Sequence, residues 1–373
     1  MTEADRAARL ELCRIAEPGD RGLGSAVAAE GAASVLDAVR RSESGLAGER
    51  HYRVRLGDGD ADDVMQRLER SGGPFCVPGD GEWPTQLGDL GAAEPLGLFV
   101  RGADLRLAAV RSVAVVGSRA ASEYGLHVAT ELAAELAGRG WVVVSGAAYG
   151  VDAAAHRGAL VSGGSTVAVL ACGVDVAYPR GHAALLERVA DGGGVVVSEL
   201  PPGCTPTRPR FLTRNRLIAA LSRGTVVVEA AHRSGALNTA STAVQLGRFL
   251  MAVPGPVTSP MSAGAHRILQ QEPTARLVTG ADDVVEQVGA IGELAPQPVA
   301  EVRVRDQLDS TTVRVLEAVP LTRPVATAHV ARTAGLDPVL VAGTLQRLLL
   351  AGLVDRRRDG WRQAPAARQG RSG

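Results

Sequence analysis

Three glycine-containing segments of this sequence each follow a short apolar run and lead into a helical segment. Glycine lets the backbone turn tightly and approach a ligand, and free N–H groups at the start of a helix favour an anion. The hydroxyl and guanidinium groups beside these glycines provide further donors to oxygen ligands. The pattern therefore predicts a phosphate-binding site. Its residues are Gly117, Ser118, Arg119, Gly146, Gly150, Ser234, Gly235 and Thr239.

Further arginines are predicted to line the same site. Together with Arg119 they are Arg180, Arg214 and Arg216. Guanidinium groups bind phosphate oxygens through paired hydrogen bonds, and this set exceeds what a mononucleotide requires. It suits successive phosphates, so the expected ligand is a nucleic-acid backbone. An alternative stays open for Arg214 and Arg216, since either could form a salt bridge with a glutamate. The candidate partners are Glu199 and Glu229.

Aromatic side chains that could stack on bases are scarce, at 3% of the sequence. Near the predicted site only Tyr149, Tyr178 and Phe211 are candidates. For each of them the sequence favours a packed side chain over a stacking platform. Binding is therefore expected to be mostly electrostatic and nearly independent of base sequence.

The charged residues are unevenly distributed, although 40 basic and 40 acidic residues give a formal net charge of zero. Residues 1–104 contain 12 Arg and 19 acidic residues, whereas residues 305–373 contain 11 Arg and 6 acidic residues. Between Arg208 and Arg248 there are seven Arg and one acid, Glu229. This local excess indicates an anionic partner, and the acidic N-terminal region is not expected to contact nucleic acid.

Several classes of protein are disfavoured by the composition. The sequence has no Lys, so the lysine of a P-loop is absent. The four cysteines show no Cys-x-x-Cys spacing, and neither a metal site nor a disulfide framework is expected. Neither a signal segment nor an apolar run of about 18 residues is found, so a cytoplasmic protein without a membrane partner is expected. No Gly-x-Gly-x-x-Gly follows the first strand, and no cofactor is expected.

Catalysis is not predicted at this site. Asp152 and His156 lie four residues apart on one helix face, which could form an acid–base pair but more often forms a local hydrogen bond. The segment Thr239–Gly247 contains no carboxylate, whereas a nucleotide hydrolase of this architecture needs an acid close to the scissile bond. A nucleotide phosphoribohydrolase of the lysine-decarboxylase-like Rossmann type is kept as the alternative function.

The strands that position these loops are predicted from six short, β-branched apolar runs. The runs are continuous rather than alternating, as in parallel strands buried on both faces. Helical segments lie between them, so repeated β-α-β units give an α/β fold with an extended Rossmann-like, doubly wound, mostly parallel sheet. In such a sheet ligands bind beyond the carboxyl ends of the strands. The runs are Val113–Val116, Val142–Val144, Thr166–Leu170, Val195–Val197, Thr225–Val228 and Phe249–Val253.

The chain is predicted to contain three domains, a linker and a tail. Helices are expected at Ala4–Ala16 and Ala26–Val39 in the first domain, and Arg214-Asn215-Arg216 is expected to precede a helix over Leu217–Leu221 in the second. The predicted ranges are 1–73 for a helical domain of helix-hairpin-helix (SAM-like) type, 74–290 for the Rossmann-like DNA-binding domain, 291–307 for the linker, 308–363 for a winged-helix domain and 364–373 for a disordered tail.

The winged-helix domain is predicted to contain three helices and a two-stranded hairpin. Ser310 is expected to cap its first helix, and Pro338–Ala351 takes the position of a recognition helix. Only Thr344, Gln346 and Arg347 are polar in that helix, which is too few for base reading. A contact with DNA backbone or with a protein partner is expected instead.

A series of short segments, in order along residues 75–290, resembles the DNA-processing protein A (DprA/Smf) family. The resemblance implies a non-catalytic protein that binds single-stranded DNA, protects it from nucleases and helps to load the RecA recombinase in natural transformation and homologous recombination. It also implies a homodimer. The matching segments include Val115–Arg119, Ser145–Ala147, Gly150–Asp152, Tyr178–Arg180, Ser198-Glu199, Arg214–Arg216, Val228–Ala230, Ser234-Gly235 and Val253–Gly255.

The resemblance also assigns roles to individual arginines. The DNA-contacting arginine that follows the family's first long strand corresponds to Arg119, and the basic residue after its Tyr-Pro pair corresponds to Arg180. The family's Arg-Asn-Arg segment corresponds to Arg214–Arg216. The sequence departs from the family pattern in a few places. These are His182 and His266, where asparagine is usual, Leu212, where proline is usual, and the stretch from Pro179 to Leu186, which has no aromatic residue.

Overall fold

A computed structural model describes residues 2–57, 61–290 and 308–364 of the chain. The predicted linker, 291–307, and the predicted tail beyond residue 364 lie outside the described residues. The described residues form two compact units, one before and one after the linker. Within these ranges, none of the helices combines the length and the apolar character needed to cross a lipid bilayer.

The first unit begins with a group of helices. They are α1 (Glu3–Ile15), α2 (Arg21–Glu30), α3 (Ala32–Arg41), α4 (Glu49–Leu56) and α5 (Ala61–Arg70). The single helix predicted over Ala26–Val39 is wrong, because Gly31 adopts φ +83° and separates α2 from α3. The carboxylate of Asp5 accepts a hydrogen bond from the N–H of Ala32 (3.0 Å), which satisfies a donor in the first turn of α3.

These helices pack directly against the rest of the unit. Leu10 of α1 and Leu68 of α5 lie in one apolar cluster with Phe99 and Val196 of the sheet. A second cluster, built around Leu12 and other residues of α1 to α4, holds the helices to one another. The domain boundary expected at residue 73 therefore stays a prediction.

The centre of the first unit is a single sheet. Its described strands are β1 (Phe75–Cys76), β2 (Leu98–Gly102), β3 (Ser112–Val116), β4 (Val142–Ser145), β5 (Thr166–Val169), β6 (Val195–Ser198), β7 (Gly224–Val227), β8 (Phe249–Ala252) and β9 (Arg276–Leu277). Their order is β1-β2-β6-β5-β4-β3-β7-β8-β9. Neighbours from β6 to β9 in this order are parallel, and β1 and β2 pair antiparallel at one edge. The predicted doubly wound, mostly parallel α/β fold is confirmed.

Helices cover both faces of this sheet. They are α6 (Leu105–Val110), α7 (Glu123–Gly138), α8 (Val151–Val161), α9 (Ala183–Asp191), α10 (Arg208–Leu221), α11 (Ala236–Gln245), α12 (Ala263–Gln271) and α13 (Ala281–Val288), with 3₁₀ segments at Thr85–Ala93 and Arg180–His182. In β3, Val113 and Val115 pack with α7 and α8, whereas Ala114 and Val116 pack with α10 and α11. Because both faces of the strand are buried, its sequence from Val113 to Val116 is apolar without interruption.

The strand order reverses at β3. The chain adds β4, β5 and β6 on one side of β3 and then crosses to add β7 and β8 on the other side. The connections on the two sides of such a reversal diverge, and the crevice that they leave at the carboxyl ends of the strands is where ligands bind in open α/β sheets. The loops after β3, β4, β5 and β7 all open at this edge.

The second unit contains three helices and a hairpin. They are α14 (Ser310–Ala318), α15 (Thr327–Ala334), α16 (Pro338–Leu350), β10 (Val354–Arg357) and β11 (Gly360–Gln363), with β10 and β11 antiparallel. The bounds lie within one residue of those predicted for the recognition helix and the wing. Asp309 caps α14 instead of Ser310, because its carboxylate accepts hydrogen bonds from the N–H groups of Thr311 and Thr312 (both 3.0 Å).

Candidate nucleic-acid interface

The loops that follow β3 and β4 are in backbone contact. The N–H of Val151 donates to the carbonyl of Ser118 (3.2 Å), and the N–H of Ser118 donates to the carbonyl of Glu229 (2.7 Å). Gly150 has φ +78°, and a Cβ added there would lie 2.2 Å from the Ser118 carbonyl oxygen. A Cβ on Gly117 would lie 2.6 Å from Cγ2 of Val151. These glycines are therefore needed so that the two loops can meet.

Two of the four predicted arginines lie exposed at this edge. Arg119 follows β3, and its guanidinium carbon lies 4.5 Å above the ring of Phe211. Arg180 begins the 3₁₀ segment between β5 and α9 and is also exposed. Neither side chain forms a hydrogen bond or an ion pair with a described residue. Both positive charges are therefore available to an anionic ligand, and the cation–ring contact holds Arg119 in place without neutralising it.

Arg214 lies beneath these loops rather than on their surface. Only 5% of the residue is exposed. Its Nη1 donates to the carbonyl of Gly146 (2.8 Å) and to the carbonyl of Val169, and its Nε donates to Oδ1 of Asn215 (3.2 Å). A Cβ on Gly146 would lie 2.4 Å from Nη2 of Arg214. Arg214 thus joins the end of β4 to the end of β5. Its guanidinium is held by these carbonyl groups below the surface, so we do not include Arg214 among the phosphate-contacting residues of the interface.

The charge of Arg214 is held in a nearly dry environment. Burial lowers the pKa of Arg214 to about 10, the buried carboxylate of Asp152 opposes this shift, and Arg119 adds to it. Burial also raises the pKa of Asp152, against the attraction of Arg214. The two groups therefore partly compensate each other under the loop that connects β4 to α8.

Arg216 is engaged by a carboxylate. Its Nη2 lies 2.7 Å from Oε1 of Glu199, and its Nε donates to the carbonyl of Ala93 (3.0 Å). Both members of the pair are buried. The salt bridge that the sequence left open as an alternative is the arrangement found, and it removes Arg216 from the candidate interface.

The predicted start of the helix that carries these two arginines is also wrong. Arg214 and Arg216 were expected to precede a helix over Leu217–Leu221, but they lie inside α10, which begins at Arg208 with a proline in its first turn. Helical residues two positions apart point in nearly opposite directions. The two guanidinium groups therefore cannot face one crevice.

The loop after β7 contributes less than the sequence suggested. The hydroxyl of Ser234 accepts a hydrogen bond from the N–H of Ala236 (3.3 Å) at the start of α11, and Thr239 is buried inside that helix. Gly235 has open space where a Cβ would stand, and its carbonyl accepts a hydrogen bond from Nδ2 of Asn215 (3.2 Å). Asn215 therefore connects this loop to α10. Of the site residues predicted in this loop, Ser234 and Gly235 stay at the surface of the edge and Thr239 does not.

Asp152 and His156 do not form an acid–base pair. No hydrogen bond joins them, since Asp152 accepts from the N–H of Ala148 (3.4 Å) and Nδ1 of His156 contacts the hydroxyl of Thr166 (2.7 Å). The Thr166 hydroxyl already donates to the carbonyl of Val143 (2.6 Å), so Nδ1 of His156 must be its donor. Nε2 of His156 is then a buried acceptor without a partner among the described residues.

This burial makes His156 a source of acid sensitivity. Desolvation, helped by the charges of His182, Arg214 and Arg157, lowers its pKa to about 3. The unfolded state then binds more protons than the folded state below about pH 6.5, so stability falls as pH falls. Between pH 7 and pH 5 the loss from His156 should be about 2 kcal/mol, and His156→Gln should remove it. Urea unfolding at both pH values tests this, and an unchanged pH dependence in the variant would contradict it.

The carboxylate of Glu229 is hydrogen-bonded to the N-terminal end of α7. Its two carboxylate oxygens accept hydrogen bonds from the N–H (2.9 Å) and the hydroxyl (2.6 Å) of Ser122, the residue that caps α7. Glu229 is 1% exposed. Its carboxylate therefore stabilises the positive end of α7 and does not face the crevice, which weighs against a phosphoribohydrolase. Among the described residues, no group of three or more His, Cys, Asp or Glu could hold a metal ion.

A family model described as DNA recombination-mediator protein A matches residues 74–289. The chain belongs to the DNA processing protein A family. It is 48% identical over 365 residues to a DNA processing protein DprA of Mycobacterium tuberculosis, covering 94% of this chain and 92% of the relative. The family resemblance inferred from the sequence is confirmed.

Solved structures of this family share the fold. The DNA processing protein A of Streptococcus pneumoniae superimposes with a TM-score of 0.65 and 31% identity, over 78% of this chain and 99% of that one. The Helicobacter pylori protein superimposes with a TM-score of 0.51 and 28% identity, over 58% of this chain and 96% of that one, and its structure was reported for its mode of binding single-stranded DNA.

Sequence reasoning undervalued the aromatic residues of the interface. Tyr149 and Tyr178 were expected to be packed, yet 54% and 43% of these residues are exposed. Both follow strands of the parallel sheet at the same edge as Arg119 and Arg180. Their position after a strand end is the signal that could have identified them, because ligand-contacting side chains of α/β folds come from these loops.

Proposed function

We propose that this chain binds single-stranded DNA at the carboxyl edge of its sheet and acts in DNA recombination without catalysing a reaction itself. The observation that carries the proposal is the pair of exposed, unneutralised arginines, Arg119 and Arg180, above loops whose backbones are held together by glycines. A nucleic-acid backbone supplies successive phosphates for such a pair. Membership of the DNA processing protein A family supports this function.

The proposed interface comprises fewer residues than the sequence suggested. Arg119 and Arg180 are its cations, with Ser234 and Gly235 near the end of β7 as further contacts. Gly117, Gly146 and Gly150 shape the loops, and Arg214 holds them from below. The single-stranded DNA binding reported for the Helicobacter pylori relative supports the assignment of the ligand.

The proposed partners are the RecA recombinase and a second copy of this chain. The description of the family as a recombination mediator supports RecA as the protein that receives the bound strand. RecA should begin ATP hydrolysis sooner on a strand coated with single-strand-binding protein when the parent is added. The variant Arg119→Ala/Arg180→Ala should give little acceleration. If the parent and the double variant accelerate RecA equally, RecA loading does not depend on this interface.

The DNA-binding function itself is tested by direct titration. A labelled 20-nucleotide thymidine strand and a duplex of equal length are titrated at two salt concentrations, with fluorescence anisotropy as the readout. The single strand should bind more tightly, and its affinity should fall by roughly tenfold or more over a few-fold rise in salt. No binding of the single strand, or hydrolysis of a purine nucleoside monophosphate that is lost in Glu229→Gln, would contradict the proposal.

A further inference from the structure

Two half-exposed tyrosines flank Arg180. Tyr178 comes two residues before it, and Tyr149 reaches over the residue that follows it. The ring of Tyr149 packs edge-on against His182, with centroids 4.7 Å apart and an interplanar angle of 67°. Its hydroxyl oxygen lies 3.2 Å from the position that a Cβ on Gly181 would occupy. Gly181, the residue that follows Arg180, therefore leaves room for the hydroxyl of Tyr149.

Tyr178 is connected to Arg119 through the ring of Phe211. The rings of Tyr178 and Phe211 are tilted against each other, with centroids 5.6 Å apart. Phe211 also contacts the guanidinium of Arg119, which lies 4.5 Å from the ring centroid. A continuous row of ring and cation contacts therefore joins the loop after β5 to the loop after β3.

A backbone contact also brings Tyr149 close to the loop that contains Arg119. A Cβ on Gly150 would lie 2.7 Å from the carbonyl oxygen of Arg119, and Gly150 directly follows Tyr149. Tyr149, Arg119, Phe211, Tyr178 and Arg180 thus surround one patch of the sheet edge. We call these five residues the aromatic–arginine rim.

The two tyrosines of the rim differ from the other two tyrosines of the chain. The hydroxyl of Tyr52 donates to Asp20, and that of Tyr124 donates to the carbonyl of Pro254 (2.6 Å). Within the described residues, the hydroxyls of Tyr149 and Tyr178 have no hydrogen-bond partner. No hydrogen bond to a described residue therefore holds these two exposed rings in place. Because burial of an aromatic ring is energetically favourable, exposed rings of this kind are candidates for contact with a ligand.

We infer that Tyr149 and Tyr178 stack on unpaired bases of a strand whose phosphates are held by Arg119 and Arg180. The inference rests on the proposed DNA-binding function and adds a base-contacting subsite to it. Arginines alone attract any polyanion, including duplex DNA, whereas the faces of bases are accessible to a ring only in a single strand. The rim would thus select single strands over duplexes, with little preference among bases because each base has a π face.

The test separates stacking from charge. The parent, Tyr149→Ala and the matched control Tyr149→Phe are titrated with a 20-nucleotide thymidine strand and with an abasic deoxyribose-phosphate strand of equal length. Tyr149→Ala should lose about tenfold in affinity for the thymidine strand. The same variant should bind the abasic strand as the parent does, and Tyr149→Phe should keep the parent affinity for both. Tyr178→Ala is expected to behave as Tyr149→Ala does.

Two results would overturn the inference while leaving DNA binding intact. One is parental affinity of both alanine variants for the thymidine strand. The other is an equal loss on the thymidine and abasic strands, which would mean that the rings only hold Arg180 in position. Failure of the parent to bind the thymidine strand contradicts the proposed function itself, and the stacking inference falls with it. Circular dichroism and thermal melting of each variant confirm that the fold is retained.

Discussion

Replacing both exposed arginines, Arg119→Ala with Arg180→Ala, should weaken single-stranded DNA binding by more than a hundredfold. Each arginine is expected to form a charge-assisted hydrogen bond with phosphate, worth about 1.5–3 kcal/mol when the partner is charged. Neither side chain holds a described carboxylate, so its removal leaves no buried charge unpaired. The thermal stability of the double variant should therefore stay close to that of the parent.

The matched control removes two arginines from the opposite edge of the sheet. Arg106 lies in α6, which leads into β3, and Arg188 lies near the end of α9, which leads into β6. Both are exposed, and neither side chain has a described partner. Arg106→Ala with Arg188→Ala changes the net charge by the same amount as the test variant. Parental affinity in this control, measured by anisotropy with the thymidine strand, would locate the effect at the rim.

Arg216→Ala should unfold more easily by about 3–5 kcal/mol and still bind DNA as the parent does at a temperature where it is folded. The substitution leaves Glu199 buried without its cation, and Oε2 of Glu199 already lacks a hydrogen-bond partner within the described residues. Urea unfolding measures the loss of stability, and titration of the folded variant measures affinity.

A second variant checks the cause of that loss. Replacing both partners, Arg216→Met with Glu199→Gln, removes the unpaired charge and should recover most of the stability. If Arg216→Ala instead keeps the parental stability and loses DNA affinity, Arg216 contacts DNA and its assignment to a buried salt bridge is wrong.

The central strands could be predicted because parallel strands buried on both faces are apolar without interruption. β3 to β8 consist mostly of apolar residues that follow one another directly, although each of β3 to β7 also contains one Ser or Thr. The antiparallel strands β1 and β2 were missed because Phe75–Cys76 is too short for a pattern and Leu98–Gly102 ends in Arg101 and Gly102. The beginning of α10 was missed because its first turns, Arg208 to Thr213, contain arginines, a proline and a threonine without an apolar stripe.

The candidate site could be predicted in its location but not in every side chain. The carboxyl ends of neighbouring parallel strands meet at one edge, so the loops containing Arg119 and Gly146 had to be close. The burial of Arg214 and Arg216 could not be predicted, because the sequence does not reveal that they lie within a helix and point away from each other. Gly117, Gly146 and Gly150 do lie at sites of close approach, but their close neighbours are loops and an arginine of this chain, and Gly235 has open space around it.

The salt dependence of single-stranded DNA binding tests the central claim most directly. The logarithm of the binding constant for the thymidine strand is measured against the logarithm of salt concentration for the parent, Arg119→Ala, Arg180→Ala and the Arg106→Ala/Arg188→Ala control. Each rim variant should make the slope shallower by about 0.7, because one phosphate contact fewer releases fewer counterions, and the control should keep the parental slope. One common slope for all four proteins would contradict phosphate binding by Arg119 and Arg180.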